Sequence, residues 1–145
     1  SYYHWFFLAQ KAPLPEKLIE SNPEFYLKSK LKMWGKTNKF IDKKTMKEYI
    51  RCFSSKTIHA SCEDYRAAST IDIKDHSKDK LKKILCPLLV LWGKKGTVNK
   101  LYDPVKEWKK YANNVKGYSI NCGHFIAEEK PKELVKSIIA FLKKD

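Results

Sequence analysis

At 145 residues, with 43% hydrophobic and 13% aromatic side chains, the chain has the size and apolar content of a folded domain, which excludes a disordered or collagen-like polymer. No apolar run approaches the roughly 20 residues a membrane-spanning helix needs, and the start at Ser1 lacks the basic region and cleavage site of a secretion signal, so we read it as a cut end of a soluble chain. Thirty lysines and arginines against sixteen acids give a formal charge of +14, which raises nucleic acid as a partner. Only Arg51 and Arg66 are arginines, however, and the lysines are spread from Lys11 to Lys144, the pattern of a solvated surface rather than a binding stripe.

The first two-thirds of the chain reads as helices. Residues 2 to 9 are apolar all round and predict a helix buried on several sides. Pro13 and Pro15 break it, and Pro15 suits the first turn of a short helix through Ile19. Asn22-Pro23 opens a helix running to about Trp34, where Gly35 is placed to stop it. Asp42 is placed to cap the next, with Met46, Tyr49, Ile50 and Phe53 on one face. Between Ser54 and Ser69, Ile58, Cys62, Tyr65 and Ala68 recur at helical spacing. A charged stretch from Asp72 to Lys83 leads away from this group.

The character changes at Leu85. Cys86 to Gly93 is a continuous apolar run that predicts a strand buried on both faces of a parallel sheet. Asp103-Pro104 starts a helix with Val105, Trp108 and Tyr111 or Ala112 inward, and Val115 to Asn121 alternates as a second strand. Pro131 opens a last helix expected to bury Leu134, Val135, Ile138, Ile139 and Leu142. The tail is therefore strand, helix, strand, helix, a parallel pair whose edges need further strands or cover. The four cysteines, Cys52, Cys62, Cys86 and Cys122, form no C-x-x-C pair, so neither a zinc site nor a redox motif is expected, and reduced thiols in a cytoplasmic protein are the default.

Between the second strand and the last helix stands Asn121-Cys122-Gly123-His124-Phe125, which places an imidazole at the carboxyl end of a strand, where open α/β sheets keep their chemistry. His124 is the leading candidate for a general base. No nucleophile stands beside it in sequence: among Gly35, Gly93, Gly96, Gly117 and Gly123 no two are four apart, so the chain contains no G-x-S-x-G or G-x-D-x-G elbow.

The aromatic helix with His4-Trp5, the segment Ser61-Cys62-Glu63-Asp64-Tyr65-Arg66-Ala67, the strand Cys86-Pro87-Leu88-Leu89-Val90 and Gly123-His124-Phe125, taken in this order, closely resemble the C-terminal half of the fluoroacetate (haloacetate) dehalogenase branch of α/β-hydrolases. The resemblance implies a helical cap over residues 1–84 and the last two strands and helices of the α/β core over 85–145. It implies an aspartate nucleophile that attacks the halogen-bearing carbon and a histidine, matched by His124, that activates water to hydrolyse the ester. It makes His4, Trp5 and Tyr65 the donors to the departing halide. Packing in an aromatic core is the plainer reading of those three. No cofactor or metal is implied.

The resemblance places the nucleophile, its carboxylate-binding arginines and the triad acid in an N-terminal half upstream of Ser1, and implies a homodimer for an intact protein acting on a small haloacid. Asp103 is a substitute acid, although Pro104 beside it favours helix capping. Alone, the chain is expected not to turn over a haloacid. The alternatives are another cap-bearing hydrolase such as an epoxide hydrolase, in which Tyr65 would activate the ring oxygen, a basic fragment binding nucleic acid or an acidic partner, or a relic without function. His59 and His76 are expected at the surface or in packing, without an assigned partner.

Overall fold

The computed structural model describes residues 3–35, 40–79 and 82–143; Tyr2, at the start of the predicted first helix, lies outside them. By its contacts the chain divides into two compact units, one made of residues 1–30 and 42–80, the other of residues 31–41 and 81–145.

The first unit is helical. It contains α1 (Tyr3–Leu8), α2 (Leu14–Glu20), most of α3 (Pro23–Trp34), α4 (Lys43–Cys52), α5 (Ser55–Ala68) and α6 (Ile71–Asp79). The starts follow the residues that predicted them. Asp42 accepts from the Thr45 amide at 2.9 Å, and Ser54 caps α5 by accepting from the Thr57 amide. The interior is Leu8, Ile19, Ile58 and Cys62, with Phe7, Tyr26, Phe53 and Tyr65 packed against it, so α1, α2 and α5 supply most of the core. Burial pushes the Cys62 thiol and the Tyr26 hydroxyl up from their ordinary ranges, so both stay protonated near neutrality.

Two expectations fail here. The first helix is not buried on several sides: His4 and Leu8 are buried, while Tyr3, Trp5 and Phe6 are exposed. Six residues make fewer than two turns, and α5 covers only one of their faces. The charged stretch after residue 71 does not simply lead away, since most of it is α6, packed on α5 and carrying the Lys78–Asp75 ion pair.

The second unit is built on two parallel strands, β1 (Leu88–Gly93) and β2 (Val115–Ile120), in register from Leu88 opposite Val115 to Gly93 opposite Ile120. Between them run α7 (Thr97–Leu101) and α8 (Pro104–Trp108); after them come α9 (Ile126–Glu129) and α10 (Pro131–Leu142). Gly117 lets α8 close on the sheet, because a Cβ there would stand 2.4 Å from the Val90 carbonyl oxygen and 3.1 Å from a Val105 methyl.

β1 is half-buried along most of its length rather than buried on both faces, since α7 and α8 are the helices that pack on it. The last helix also faces differently from its apolar pattern. Ser137 is its buried residue, with Leu134 and Phe141 half-buried, whereas Val135, Ile138, Ile139 and Leu142 are exposed. With Lys132, Lys136 and Lys143, the residues Val135 and Ile139 line an open groove of about 710 Å³. Among the described residues no helix is long and apolar enough to cross a membrane.

Candidate functional site

In the first unit, α1 and α5 bring His4, Trp5 and Tyr65 together. Ring centroids of His4 and Tyr65 are 5.6 Å apart, those of Trp5 and Tyr65 6.1 Å, and those of His4 and Trp5 6.3 Å, all edge to face. His4 is buried, Tyr65 half-buried and Trp5 exposed. Burial and the neighbouring Asp64 charge raise the Tyr65 hydroxyl above its ordinary range, which keeps it a donor. Three rings that carry polar atoms thus pack together from positions about 60 residues apart in sequence.

Beneath them lies an ion-pair cluster that sequence periodicity does not reveal. Glu16 of α2 has a side chain only 6% exposed, and its Oε1 stands 2.8 Å from Arg66 Nη1 and 3.2 Å from His59 Nδ1. The same guanidinium reaches Glu63 Oε1 at 2.6 Å, and its Nε donates to the Gln10 carbonyl just beyond α1 at 2.8 Å. Arg66 therefore ties the end of α1 and the buried carboxylate of α2 to α5, the two flanking helices of the aromatic triad included. Its hydrogen bond holds the Glu16 carboxyl down at about 2, against the opposing effect of burial.

His59 is exposed as expected, but it has a partner in Glu16. Glu16, His59 and Glu63 also bring three potential metal-ligand atoms within 4.8 Å of one another. Arg66 Nη1 already stands between the two carboxylates, so the chemistry of this donor set is that of an ion pair.

His124 lies in the second unit, exposed, just beyond β2. The turn that carries it is pinned on every side. Lys94 and Lys95, after β1, donate their amides to the carbonyls of Ile120 and Cys122 at 2.7 and 2.9 Å. The His124 amide donates to the Trp34 carbonyl at 3.2 Å. The amides of Gly123 and Phe125 donate to the two oxygens of Glu129, at 2.8 and 3.3 Å. The imidazole sits against the Trp34 ring at 5.2 Å and the Phe125 ring at 5.0 Å, and Phe40 stacks on Phe125 at 5.4 Å. Beside it, Cys122 is buried and its thiol pushed up, which leaves it without thiolate character near neutral pH.

Asp103 caps α8, accepting from the Lys106 amide at 3.1 Å. The four cysteines are free, with Cys62 and Cys122 buried. The contacts of Glu129, of Trp34 and of the Glu16–Arg66 pair were not legible in the sequence. A carboxylate placed to reach back over the turn after Gly-His was a usable capping signal for Glu129. Trp34 had none, because its contact to position 124 crosses 90 residues.

No family model matches the chain. It is 33% identical over 144 residues to a fluoroacetate dehalogenase from Burkholderia sp, covering 98% of this chain and 47% of that protein. To a soluble epoxide hydrolase from Corynebacterium sp. (strain C12) it is 28% identical over 142 residues, covering 95% and 48%. Among solved structures, an alpha/beta hydrolase from Nostoc sp PCC 7120 superposes with a TM-score of 0.96 at 49% identity, over 99% of this chain and 50% of that one. The chain spans about half the length of the curated relatives it matches.

Proposed function

Because the chain folds as the carboxy-terminal portion of an α/β-hydrolase, we propose that it carries the cap and the base of a haloacetate dehalogenase, with residues 1–84 as cap and 85–145 as core. The observation that carries this reading is the gathering of His4, Trp5 and Tyr65, three donors of different reach, on neighbouring faces of α1 and α5. Fluoride leaves carbon poorly. Preorganised donors aimed at its developing charge lower that barrier, each worth roughly 2.7–4 kcal/mol in a dry site.

In this reading an aspartate carboxylate displaces halide from the substrate carbon and forms an ester. His124 then takes a proton from water as the water attacks the ester carbonyl, which releases the hydroxy acid and restores the carboxylate. The aspartate belongs to the amino-terminal half of the hydrolase core, which is the partner this chain requires; the substrate is a small haloacid, and the intact protein is a homodimer in the cytoplasm.

The test is fluoride release from fluoroacetate, read with an ion-selective electrode. The 145-residue chain alone is expected to release none. Joined to a hydrolase amino-terminal half bearing G-x-D-x-G, it is expected to release fluoride, and His124→Ala to abolish that release. Robust turnover by the chain alone, lost in His124→Ala, would contradict the reading. Diol formation from an epoxide without halide release would move it to the epoxide hydrolases, the class of the Corynebacterium relative.

A further inference from the structure

We infer that Glu129 is a positioning residue for His124. Three successive amides, those of residues 123, 124 and 125, follow the end of β2, beyond its ladder with β1. All three are taken. Glu129 Oε2 accepts from Gly123 at 2.8 Å, Glu129 Oε1 from Phe125 at 3.3 Å, and the Trp34 carbonyl from His124 at 3.2 Å. One carboxylate thus takes the amides of the residues before and after the histidine.

The grip is closed from the other side by the backbone. The Glu129 amide donates to the Phe125 carbonyl at 2.9 Å, and Lys130 to Ile126 at 2.8 Å, so α9 folds its last residue back over the turn that precedes it. This is the reciprocal logic of a capping box, with the acid one position later and a second amide added. A charged acceptor makes these bonds stronger than a neutral one would. Because the Cα of His124 is held between its own amide, bound to Trp34, and that of Phe125, bound to Glu129, its ring keeps its place against both Trp34 and Phe125.

A base works only when its direction is fixed to within about 10–20°. That consequence rests on the function proposed above; the grip itself does not.

The experiment is NMR on the 145-residue chain, comparing it with Glu129→Ala, which removes both acceptors, and Glu129→Gln, which keeps one oxygen and nearly the same shape. In Glu129→Ala the amides of Gly123 and Phe125 should exchange with solvent at least tenfold faster. The His124 ring protons should lose the shift imposed by Trp34 and Phe125, while amides of β1 and β2 keep their exchange rates. Glu129→Gln should fall between, and it serves alone if the alanine variant does not fold. Unchanged ring shifts and exchange at positions 123 and 125 would overturn the inference, as would a loss spread evenly through both strands, the mark of a merely structural residue. Since these signals do not depend on turnover, a failure of fluoride release leaves them readable, and a failure here leaves the halide assay standing.

Discussion

Gly93→Ala is expected to unfold the second unit or destabilise it by about 3 kcal/mol or more, the upper end of what overpacking costs. An ideal Cβ on Gly93 would stand 1.6 Å from the Gly123 carbonyl oxygen and 2.7 Å from its carbon. Both are backbone atoms, and neither can rotate away. Relief would require the strand end and the histidine turn to part, breaking the bonds from Lys94 and Lys95 to Ile120 and Cys122. Backbone dihedrals are not the reason for this glycine, since no described glycine has positive φ. Gly96→Ala is the control: its Cβ would meet the Gly93 carbonyl oxygen at 3.2 Å, a contact that small shifts relieve. Urea unfolding of both variants decides the matter, and a Gly93→Ala protein within 1 kcal/mol of the parent would refute the close approach of the two turns.

The turn that carries His124 was legible because its signature is local. A strand that ends in glycine against a second glycine-bearing turn leaves a short, local signature, Cys122-Gly123-His124, in the chain itself. Caps at Asp42 and Asp103 and the stop at Gly35 were legible for the same reason, because each depends on residues within four positions. The faces of helices were less so. α10 shows aliphatic residues at helical spacing, but its own unit covers the side with Leu134, Ser137 and Phe141, and pattern alone does not say which partner an apolar face has. Charge hid α6, where i,i+3 pairing replaces an apolar stripe. His4, Trp5 and Tyr65 entered through resemblance to a family rather than through periodicity, and the structure places their rings together. What no local rule reaches is the set of side-chain bonds across long separations, Glu16 to Arg66 and Trp34 to His124.

Arg66→Ala should destabilise the helical unit by about 3–5 kcal/mol, the cost of leaving a buried charge without its partner. Glu16 is 6% exposed and would be left with His59, a partner whose own side chain is 58% exposed. The sign of the pH dependence follows from the lowered carboxyl. Its folded-state pKa, about 2, lies below the ordinary 4.5, so the stability it supplies is complete above about pH 4.5 and is lost as pH falls toward 2. In Arg66→Ala the largest cause of that depression is gone while the His59 contact stays, so the variant loses less than the parent when the carboxyl is protonated. The stability gap between them should therefore narrow on acidification from pH 6 to pH 3. Replacing both partners with apolar side chains, Glu16→Leu with Arg66→Met, should recover most of the loss, because a well-packed apolar pair needs no compensation. Denaturant unfolding of the three proteins at several pH values is the measurement. A gap that stays constant with pH, or a double variant no better than Arg66→Ala, would show that the guanidinium holds α1 and α5 through the Gln10 carbonyl and Glu63 rather than through the buried carboxylate.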